Sequence, residues 1–236
     1  MRIIRVEHGG TSYYGILEDG LVFRLHQQPG HMEPIPLSEA KVLPLVTPSK
    51  VVCVGLNYKA HAEELGYPLP NMPSFFLKPP SSIIGNGEPI VLPSGMGRIE
   101  HEAELAMVVG KVCRNLTPEE AEESLFGFTC ANDVTAREVQ KVDPLIGHCK
   151  SYDTFCPIGP WIETELEDIN DLSIRCLVNG EVRQSANTGD MIFRPLDLLC
   201  FLSRVMTLMP GDVILTGTPP GISPIQADDV VQVSIE

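Results

Sequence analysis

The sequence predicts an α+β fold dominated by a mixed β-sheet. About ten or more short segments are typical of strands, against only three or four short helices, and no strand–helix unit repeats along the chain. A doubly wound α/β fold would require such a repeat, so it is not expected. The chain has 236 residues, of which 43% are hydrophobic, and this is enough for a substantial core.

Residues 1–49 are predicted to form a small N-terminal β domain and a linker. Three β-rich segments, RIIRVEH, SYYGILE and LVFRL, are separated by the turn dipeptides Gly9-Gly10 and Asp19-Gly20. The stretch 27–49 contains five prolines and no sustained periodicity, so it is predicted to be the linker. The main domain is therefore expected to span residues 50–236.

The main domain begins with a predicted buried strand at KVVCVG. Short strands are predicted at FFLK and PIVL, and longer ones at EAELAMVVG and LFGFTCAND. Thr117, Pro118 and Glu120 form a helix-start signature with a capping box. Asn179-Gly180 in RCLVNGEVRQ predicts a type I′ hairpin, residues 195–206 predict a helix, and DVILTG and VVQVSI predict two final strands.

Charge and composition exclude several classes of partner. The chain has 17 basic and 31 acidic residues and a formal net charge of −14, which disfavours nucleic acid and anionic membranes. No apolar run approaches the roughly 20 residues of a membrane span, and the first residues lack a signal-peptide pattern, so a cytoplasmic protein is expected. The seven cysteines include no Cys-x-x-Cys pair and lie mostly in apolar segments, which predicts reduced core thiols.

Glu102 and Glu104 are candidate metal ligands. Side chains alternate along a strand, so both carboxylates point to one face as the chain runs into an apolar strand. Burying two like charges is costly without a cation or a proton, although spacing alone leaves an exposed edge equally compatible. Asp133 ends the apolar run LFGFTCAND and is a third acid of similar context. Three oxygen ligands suit Mg²⁺ or Mn²⁺ better than zinc.

His61 and Glu64 form a candidate acid–base pair. They lie three residues apart in a helix-compatible segment, where a carboxylate can fix the tautomer of the imidazole. Spacing alone favours the alternative, a surface ion pair. Lys150 lies among small and aromatic residues and either donates to an anionic substrate or pairs with Asp153 at the surface. The Gly/Pro loop in 215–221 either holds a carboxylate or is a plain structural turn.

Taken together, these segments resemble the fumarylacetoacetate hydrolase family. They occur in the family's order and span nearly all of residues 51–236. The matching segments are VGLNYKAHAEE (54–64), FLKPPSSIIGNGEPIVLP (76–93), HEAELAMVVGK (101–111), GFTCANDVTAREVQ (127–140), KSYDTFCPIGPW (150–161), VNGEVRQSANTGDMIF (178–193) and PGDVILTGTPPGI (210–222). One departure is Ser223, where the family usually has a glycine.

The resemblance implies a rolled mixed β-sheet with a variable N-terminal β appendage, a homodimer, and one Mg²⁺ or Mn²⁺ ion per chain. It implies roles for nine residues: metal ligation by Glu102, Glu104 and Asp133, catalysis by His61, Glu64 and Lys150, and substrate binding by Arg137, Gln140 and Thr218. The helical segment that carries His61 would close over the substrate as a lid.

The implied function is an enzyme that acts on a small 2-oxo-dicarboxylate or acylpyruvate through a metal-bound enolate. Hydrolysis of a C–C bond is the preferred prediction. The alternatives are oxaloacetate decarboxylation or tautomerisation and isomerisation of 2-hydroxyhepta-2,4-diene-1,7-dioate. A non-catalytic metal-binding scaffold is disfavoured by the intact set of candidate residues, and phosphoryl transfer by the absence of a phosphate-binding glycine motif.

Overall fold

The structure is a computed structural model that describes residues 1–25 and 33–236. In these ranges the chain forms seventeen strands, five α-helices and three short 3₁₀ turns. The strands are β1 (Arg2–His8), β2 (Thr11–Glu18), β3 (Leu21–Arg24), β4 (Ile35–Pro36), β5 (Lys41–Val42), β6 (Val51–Gly55), β7 (Ser74–Lys78), β8 (Ile83–Ile84), β9 (Ile99–Glu100), β10 (Ala103–Val109), β11 (Leu125–Asn132), β12 (Thr135–Ala136), β13 (Cys156–Glu163), β14 (Ser173–Val178), β15 (Glu181–Asn187), β16 (Val213–Leu215) and β17 (Val231–Ile235). The helices are α1 (Lys59–Leu65), α2 (Pro118–Glu123), α3 (Arg137–Val142), α4 (Ile146–Lys150) and α5 (Pro195–Val205).

One large mixed sheet organises the molecule, as the sequence predicted. Its strands follow the order β4-β3-β2-β1-β13-β11-β10-β16-β6-β7, with β5 beside β1 and β8 beside β13. The β16–β6 and β13–β8 pairs are parallel, whereas the other pairs in this sheet are antiparallel. A mixed, β-rich α+β architecture is therefore confirmed.

The N-terminal strands continue this sheet, because β1 pairs with β13 through Arg2↔Glu163 and Ile3↔Ile162. The described part of the predicted linker contains β4, β5 and a 3₁₀ turn, Leu37–Glu39, while residues 27–32 lie outside the described residues. Strand pairing with β3 and β1 orders this stretch, although its prolines suppress any periodic pattern. A domain boundary at residue 49 stays a prediction.

The centre of the sheet is buried on both faces. Every residue of β10 is buried, which explains why Ala103–Val109 is almost continuously apolar. Met107 and Ile214 pack under helix α5, where Leu198, Leu199 and Leu202 are fully buried, while Ala106 and Val108 face a second cluster on the other side. Glu104 is thus carried by a strand inside the core.

Local sequence patterns account for several turns, helix ends and strand ends. Asn179 and Gly180 have φ angles of 53° and 81°, as a type I′ turn between β14 and β15 requires. The predicted capping box of α2 is present, with Thr117 N–H donating to Glu120 Oε2 at 2.9 Å. The predicted strand at PIVL is wrong: residues 89–92 pair with no strand, because Pro89 and Pro93 offer no N–H and Val91 N–H donates to Thr154 Oγ1.

Within the described part of the chain, no helix is long and apolar enough to cross a membrane.

Candidate active site

Strands β10 and β11 bring three carboxylates together. Ala103 pairs with Asn132, and Asp133 N–H donates to the Glu102 carbonyl oxygen at 2.8 Å, so Asp133 leaves β11 beside Glu102. One oxygen from each of Glu102, Glu104 and Asp133 lies within 4.8 Å of the others. These side chains are only 6%, 1% and 1% exposed, so the alternative of an exposed strand edge is wrong.

Two buried lysines contact this cluster. Lys150, at the end of α4, donates to Glu102 Oε2 at 2.7 Å and to Asp133 Oδ2 at 2.6 Å. Lys78, at the end of β7, forms an ion pair with Asp133 Oδ1 and donates to the Phe155 carbonyl oxygen at 2.7 Å. Lys150 is only 3% exposed, so the alternative of a surface pair with Asp153 is wrong.

Arg137 adds a third cation at the start of α3. Its Nη2 contacts Glu102 Oε1, its Nε donates to Glu100 Oε2 at 2.6 Å, and its Nη1 donates to Gln140 Oε1 at 2.7 Å. Arg137 and Gln140 therefore lie together beside the cluster, and their substrate-binding roles stay predictions. These contacts among the described residues use three of the five guanidinium N–H groups.

The pKa values of Glu102 and Glu104 are shifted in opposite directions. Burial alone would raise the pKa of Glu102, but Lys150 and Arg137 outweigh it and hold that pKa below its usual range. Burial, together with the charges of Asp133 and Glu102, raises the pKa of Glu104 well above its usual range. Burial would also lower the pKa of Lys150, but Asp133 and Glu102 raise it. Lys150, Lys78 and Arg137 thus bind Glu102 and Asp133, and Glu104 is the carboxylate whose ionised form its surroundings disfavour.

The three acids fit a divalent cation. Carboxylate oxygens are the donors that Mg²⁺ and Mn²⁺ prefer, and each oxygen can accept more than one contact. The raised pKa of Glu104 also favours a cation at this site, because either a proton or a nearby cation stabilises this buried side chain. Glu102, Glu104 and Asp133 are therefore the residues that could hold the metal.

Helix α1 carries the candidate acid–base pair. His61 Nδ1 lies 2.8 Å from Glu64 Oε2, and Glu64 Oε1 accepts from Gly221 N–H at 3.0 Å. His61 is only 6% exposed, although Glu64 is 34% exposed, so this pair is not simply a solvated surface contact. Its second hydrogen bond anchors Glu64 to the loop 216–221.

The same loop contacts the carboxylate cluster. Gly217 N–H donates to Glu104 Oε2 at 2.6 Å, four residues before Gly221. Asn57, just before α1, donates from its side-chain nitrogen to the Thr216 carbonyl oxygen at 2.7 Å and to the Phe193 carbonyl oxygen at 2.9 Å. One short loop thus joins the helix of His61 to the strand of Glu104.

Thr218 lies in this loop, but its hydroxyl faces protein groups. It donates to the Ala103 carbonyl oxygen at 2.9 Å and accepts from Gln184 Nε2 at 2.8 Å. The hydroxyl proton is therefore already used, and the substrate-binding role of Thr218 stays a prediction.

Sequence reasoning missed Lys78, Asn57 and Gln184, although each is at most 1% exposed. Lys78 stands between an apolar strand and two prolines in FFLKPP, and a lysine in such a context signals a buried ion pair. No local pattern indicated Asn57 or Gln184, because their partners are distant in sequence. Asn57, for example, binds the Thr216 carbonyl oxygen 159 residues away.

Comparison with known proteins places this geometry among enzymes. The family model "Fumarylacetoacetate (FAA) hydrolase C-terminal" matches residues 50–236, and "Rv2993c-like, N-terminal" matches residues 1–44. The chain is 45% identical over 195 residues to oxaloacetate tautomerase FAHD2A, mitochondrial, of Homo sapiens, which covers 80% of this chain and 62% of the human protein.

Two solved structures have the same fold. The 5-carboxymethyl-2-hydroxymuconate delta-isomerase from Mycobacterium smegmatis matches with a TM-score of 0.91 and 41% identity, over 100% of this chain and 94% of that one. The maleylpyruvate hydrolase from Sphingobium sp. SYK-6, in complex with manganese(II) ion and pyruvate, matches with a TM-score of 0.84 and 31% identity, over 100% and 95%. Since the family match spans residues 50–236 and these relatives align over most of the chain, the protein belongs to the fumarylacetoacetate hydrolase family.

Proposed function

We propose that this protein is a Mg²⁺- or Mn²⁺-dependent enzyme that transfers a proton within a small 2-oxo-dicarboxylate, in a tautomerisation or isomerisation. The observation that carries the proposal is the loop 216–221, because its N–H groups bind Glu104 at one end and Glu64 at the other. Gly217 and Gly221 are four residues apart, so these nitrogens are separated by at most about 14 Å. One short loop therefore contacts both the acid–base pair and the carboxylate cluster.

Glu102, Glu104 and Asp133 would hold the metal. When bound, the ion supplies a Lewis acid that stabilises negative charge on the keto oxygen of the substrate. Lys150 remains charged beside it, because Asp133 and Glu102 raise its pKa. The remaining Arg137 N–H groups extend this positive field toward a substrate carboxylate, although the surface as a whole is acidic.

His61 moves the proton. An ionised Glu64 holds a proton on His61 Nδ1, so Nε2 presents a lone pair. Nε2 takes a proton from the carbon next to the keto group and returns it to the enol oxygen or to another carbon. Substrate and product are then isomers, so no water or other co-reactant is consumed.

The names of the relatives support this choice. A tautomerase at 45% identity and an isomerase at 41% catalyse proton transfers, whereas the hydrolase is 31% identical. Hydrolysis of an acylpyruvate C–C bond is the second candidate, because the structure of that hydrolase contains pyruvate and manganese. In that reaction His61 and Glu64 would activate a water molecule.

A product analysis distinguishes the two reactions. The metal-stripped protein, resupplied with Mg²⁺ or Mn²⁺, is given enol oxaloacetate, 2-hydroxyhepta-2,4-diene-1,7-dioate, acetylpyruvate and fumarylpyruvate. We expect the enol or dienol absorbance to fall faster with the metal-loaded protein than without protein, and we expect no release of pyruvate or CO₂. Pyruvate formed from the acylpyruvates would favour hydrolysis, and CO₂ with pyruvate from oxaloacetate would favour decarboxylation. No turnover of any substrate with either metal would contradict the proposal.

A pair of histidine variants tests the base. His61→Gln is expected to lower kcat by about 100-fold or more, the usual contribution of a general base. His8→Gln, in strand β1, is the matched control and should leave kcat unchanged. Equal activity of both variants would show that His61 does not move the proton.

The homodimer implied by the resemblance is also proposed. Light scattering of the purified protein should give twice the chain mass of 25.8 kDa, and a monomer at all concentrations would contradict it.

A further inference from the structure

Hairpin β14–β15 reaches the active-site loop through one side chain. Gln184 of β15 belongs to the three-stranded sheet β15-β14-β17 and is only 1% exposed. Its side-chain amide extends from this sheet to the loop 216–221. Its Oε1 accepts from Ala103 N–H at 2.9 Å and from His101 Nδ1 at 3.1 Å. Its Nε2 donates to Thr218 Oγ1 at 2.8 Å and to the Pro219 carbonyl oxygen at 2.7 Å. These four contacts use the full hydrogen-bonding capacity of an amide.

The partners fix the direction of every hydrogen bond. The Ala103 N–H can only donate and the Pro219 carbonyl can only accept, so the orientation of the Gln184 amide is unambiguous. His101 must then carry its proton on Nδ1, which leaves Nε2 to accept from the Ser223 hydroxyl at 2.8 Å. Thr218 accepts from Gln184 and donates to the Ala103 carbonyl oxygen. The result is one directed chain from Ser223 through His101, Gln184 and Thr218 to strand β10.

This chain holds the middle of the loop 216–221. Thr218 and Pro219 lie between Gly217, whose N–H binds Glu104, and Gly221, whose N–H binds Glu64. Both glycines have positive φ angles, 100° and 98°, and a Cβ on Gly221 would lie 2.1 Å from the Arg183 carbonyl oxygen. The loop is thus pressed directly against the strand that carries Gln184.

We propose that Gln184 is a positioning residue, which holds the loop 216–221 so that it fixes Glu104 and Glu64 at the same time. This inference rests on the proposed function for its effect on turnover, but its effects on the loop and on metal binding do not require a substrate. Among the described residues, the Gln184 side chain forms hydrogen bonds with Ala103, His101, Thr218 and Pro219, and not with the three carboxylates, His61 or Glu64. It acts on the loop through Thr218 and Pro219, and its hydrogen bond from Ala103 N–H holds the strand that carries Glu104.

The test compares Gln184→Met with Thr188→Val. Methionine keeps the length of the side chain but removes all four hydrogen bonds. Thr188 is also 1% exposed, and its hydroxyl accepts from Leu172 N–H at 2.9 Å at the end of the same hairpin. Thr188→Val therefore removes a buried hydrogen bond at the end of the same hairpin without removing a hydrogen bond to the loop, and it reports the effect of destabilisation alone.

Hydrogen exchange and Mn²⁺ calorimetry provide the readouts. In Gln184→Met, the amides of residues 215–222 should exchange at least about tenfold faster, since local opening sets the exchange rate. The Mn²⁺ affinity should fall about fivefold or more, because Glu104 loses its fixed partner. Thr188→Val should change neither. Equal exchange and equal Mn²⁺ affinity in the two variants would overturn the proposal.

Turnover separates this inference from the proposed function. If the wild-type protein binds Mn²⁺ but converts no substrate, the proposed function fails, while exchange and Mn²⁺ affinity still decide the role of Gln184. If the wild type is active, Gln184→Met should lower kcat by about tenfold or more with a smaller change in KM, as expected for misplaced catalytic groups. A kcat equal to that of Thr188→Val would contradict the inference.

Discussion

Asp212 and Asp133 are both buried carboxylates that bind a lysine, yet their surroundings differ in one respect. Asp212 stands alone and accepts from Ser49 N–H, Ser49 Oγ, Lys50 N–H, Met209 N–H and Lys50 Nζ. Asp133 shares its site with Glu102 and Glu104, and the lysines must divide their donors among several carboxylates. At the first site every donor serves one carboxylate, whereas at the second the cations bind Glu102 and Asp133, and among the described residues none forms an ion pair with Glu104.

The pKa values follow this difference. Burial would raise the pKa of Asp212, but the hydrogen bonds from Lys50, Met209 and Ser49 outweigh it, so that pKa lies below its ordinary value. At the other site, burial and two neighbouring acids raise the pKa of Glu104. A buried acid therefore indicates a metal site only when its neighbours fail to neutralise it.

The largest expected effect is on turnover in Glu104→Gln. Glutamine keeps the size of the side chain and removes the charge whose burial raises the pKa of Glu104, so the metal-free protein should keep its stability. The value of kcat/KM with Mn²⁺ should fall by about 1000-fold, because a metal ligand is lost. Steady-state kinetics and urea unfolding measure the two quantities. Full activity in this variant would show that Glu104 is not a metal ligand.

The second-largest effect is expected for Lys78→Met, which distinguishes the Asp133 site from the Asp212 site. Asp133 loses a buried partner, so the metal-free protein should lose about 3 kcal/mol of unfolding free energy. With one cation fewer, the cluster should then gain more stability from Mn²⁺ than the wild type does. Thermal unfolding with and without Mn²⁺ measures this gain, and Lys50→Met at the Asp212 site is the matched control. A Mn²⁺ shift no larger than that of the control would contradict the charge argument.

Asp212→Asn is the structural counterpart of Glu104→Gln. The amide would place N–H groups against N–H donors, so the unfolding free energy should fall by about 2 kcal/mol. Mn²⁺ affinity should not change. A loss of metal binding here, measured by calorimetry, would mean that the two sites are not independent.

The smallest effect is the pH dependence of stability. The folded-state pKa of Asp212 lies below its ordinary value of 3.8. Its contribution is therefore complete above the unfolded-state pKa and is lost as the pH falls through the folded-state pKa. Between neutral pH and acid, the wild type should lose more unfolding free energy than Asp212→Asn. Parallel pH profiles of the two proteins would contradict this assignment.

The sequence predicted the features that depend on local patterns. Alternation placed Glu102 and Glu104 on one face, the end of an apolar run marked Asp133, and helical spacing joined His61 to Glu64. The three carboxylates lie together in the structure and His61 contacts Glu64, although spacing alone left surface alternatives open for both groups. The strands of the central sheet were likewise visible as apolar runs, because every residue of β10 and β16 is buried.

Long-range partners could not be predicted in this way. Lys78 is buried because Asp133, 55 residues away, neutralises it, and no periodicity encodes such a pair. Gln184 binds Ala103 N–H 81 residues away, so its role follows only from the packing of hairpin β14–β15 on the loop. At PIVL, β-branched residues predicted a strand, but the flanking prolines and the side chain of Thr154 removed the N–H groups needed for pairing.

Calorimetric titration of the metal-free protein with Mn²⁺, in two buffers of different ionisation enthalpy, tests the central claim most directly. We predict one ion per chain at neutral pH. Because burial and two neighbouring acids raise the pKa of Glu104, we also expect metal binding to be accompanied by proton release. Binding should be lost in Glu104→Gln and retained in Asp212→Asn. Absence of binding in the wild type, or equal binding in Glu104→Gln, would contradict the assignment of these three carboxylates as a metal site.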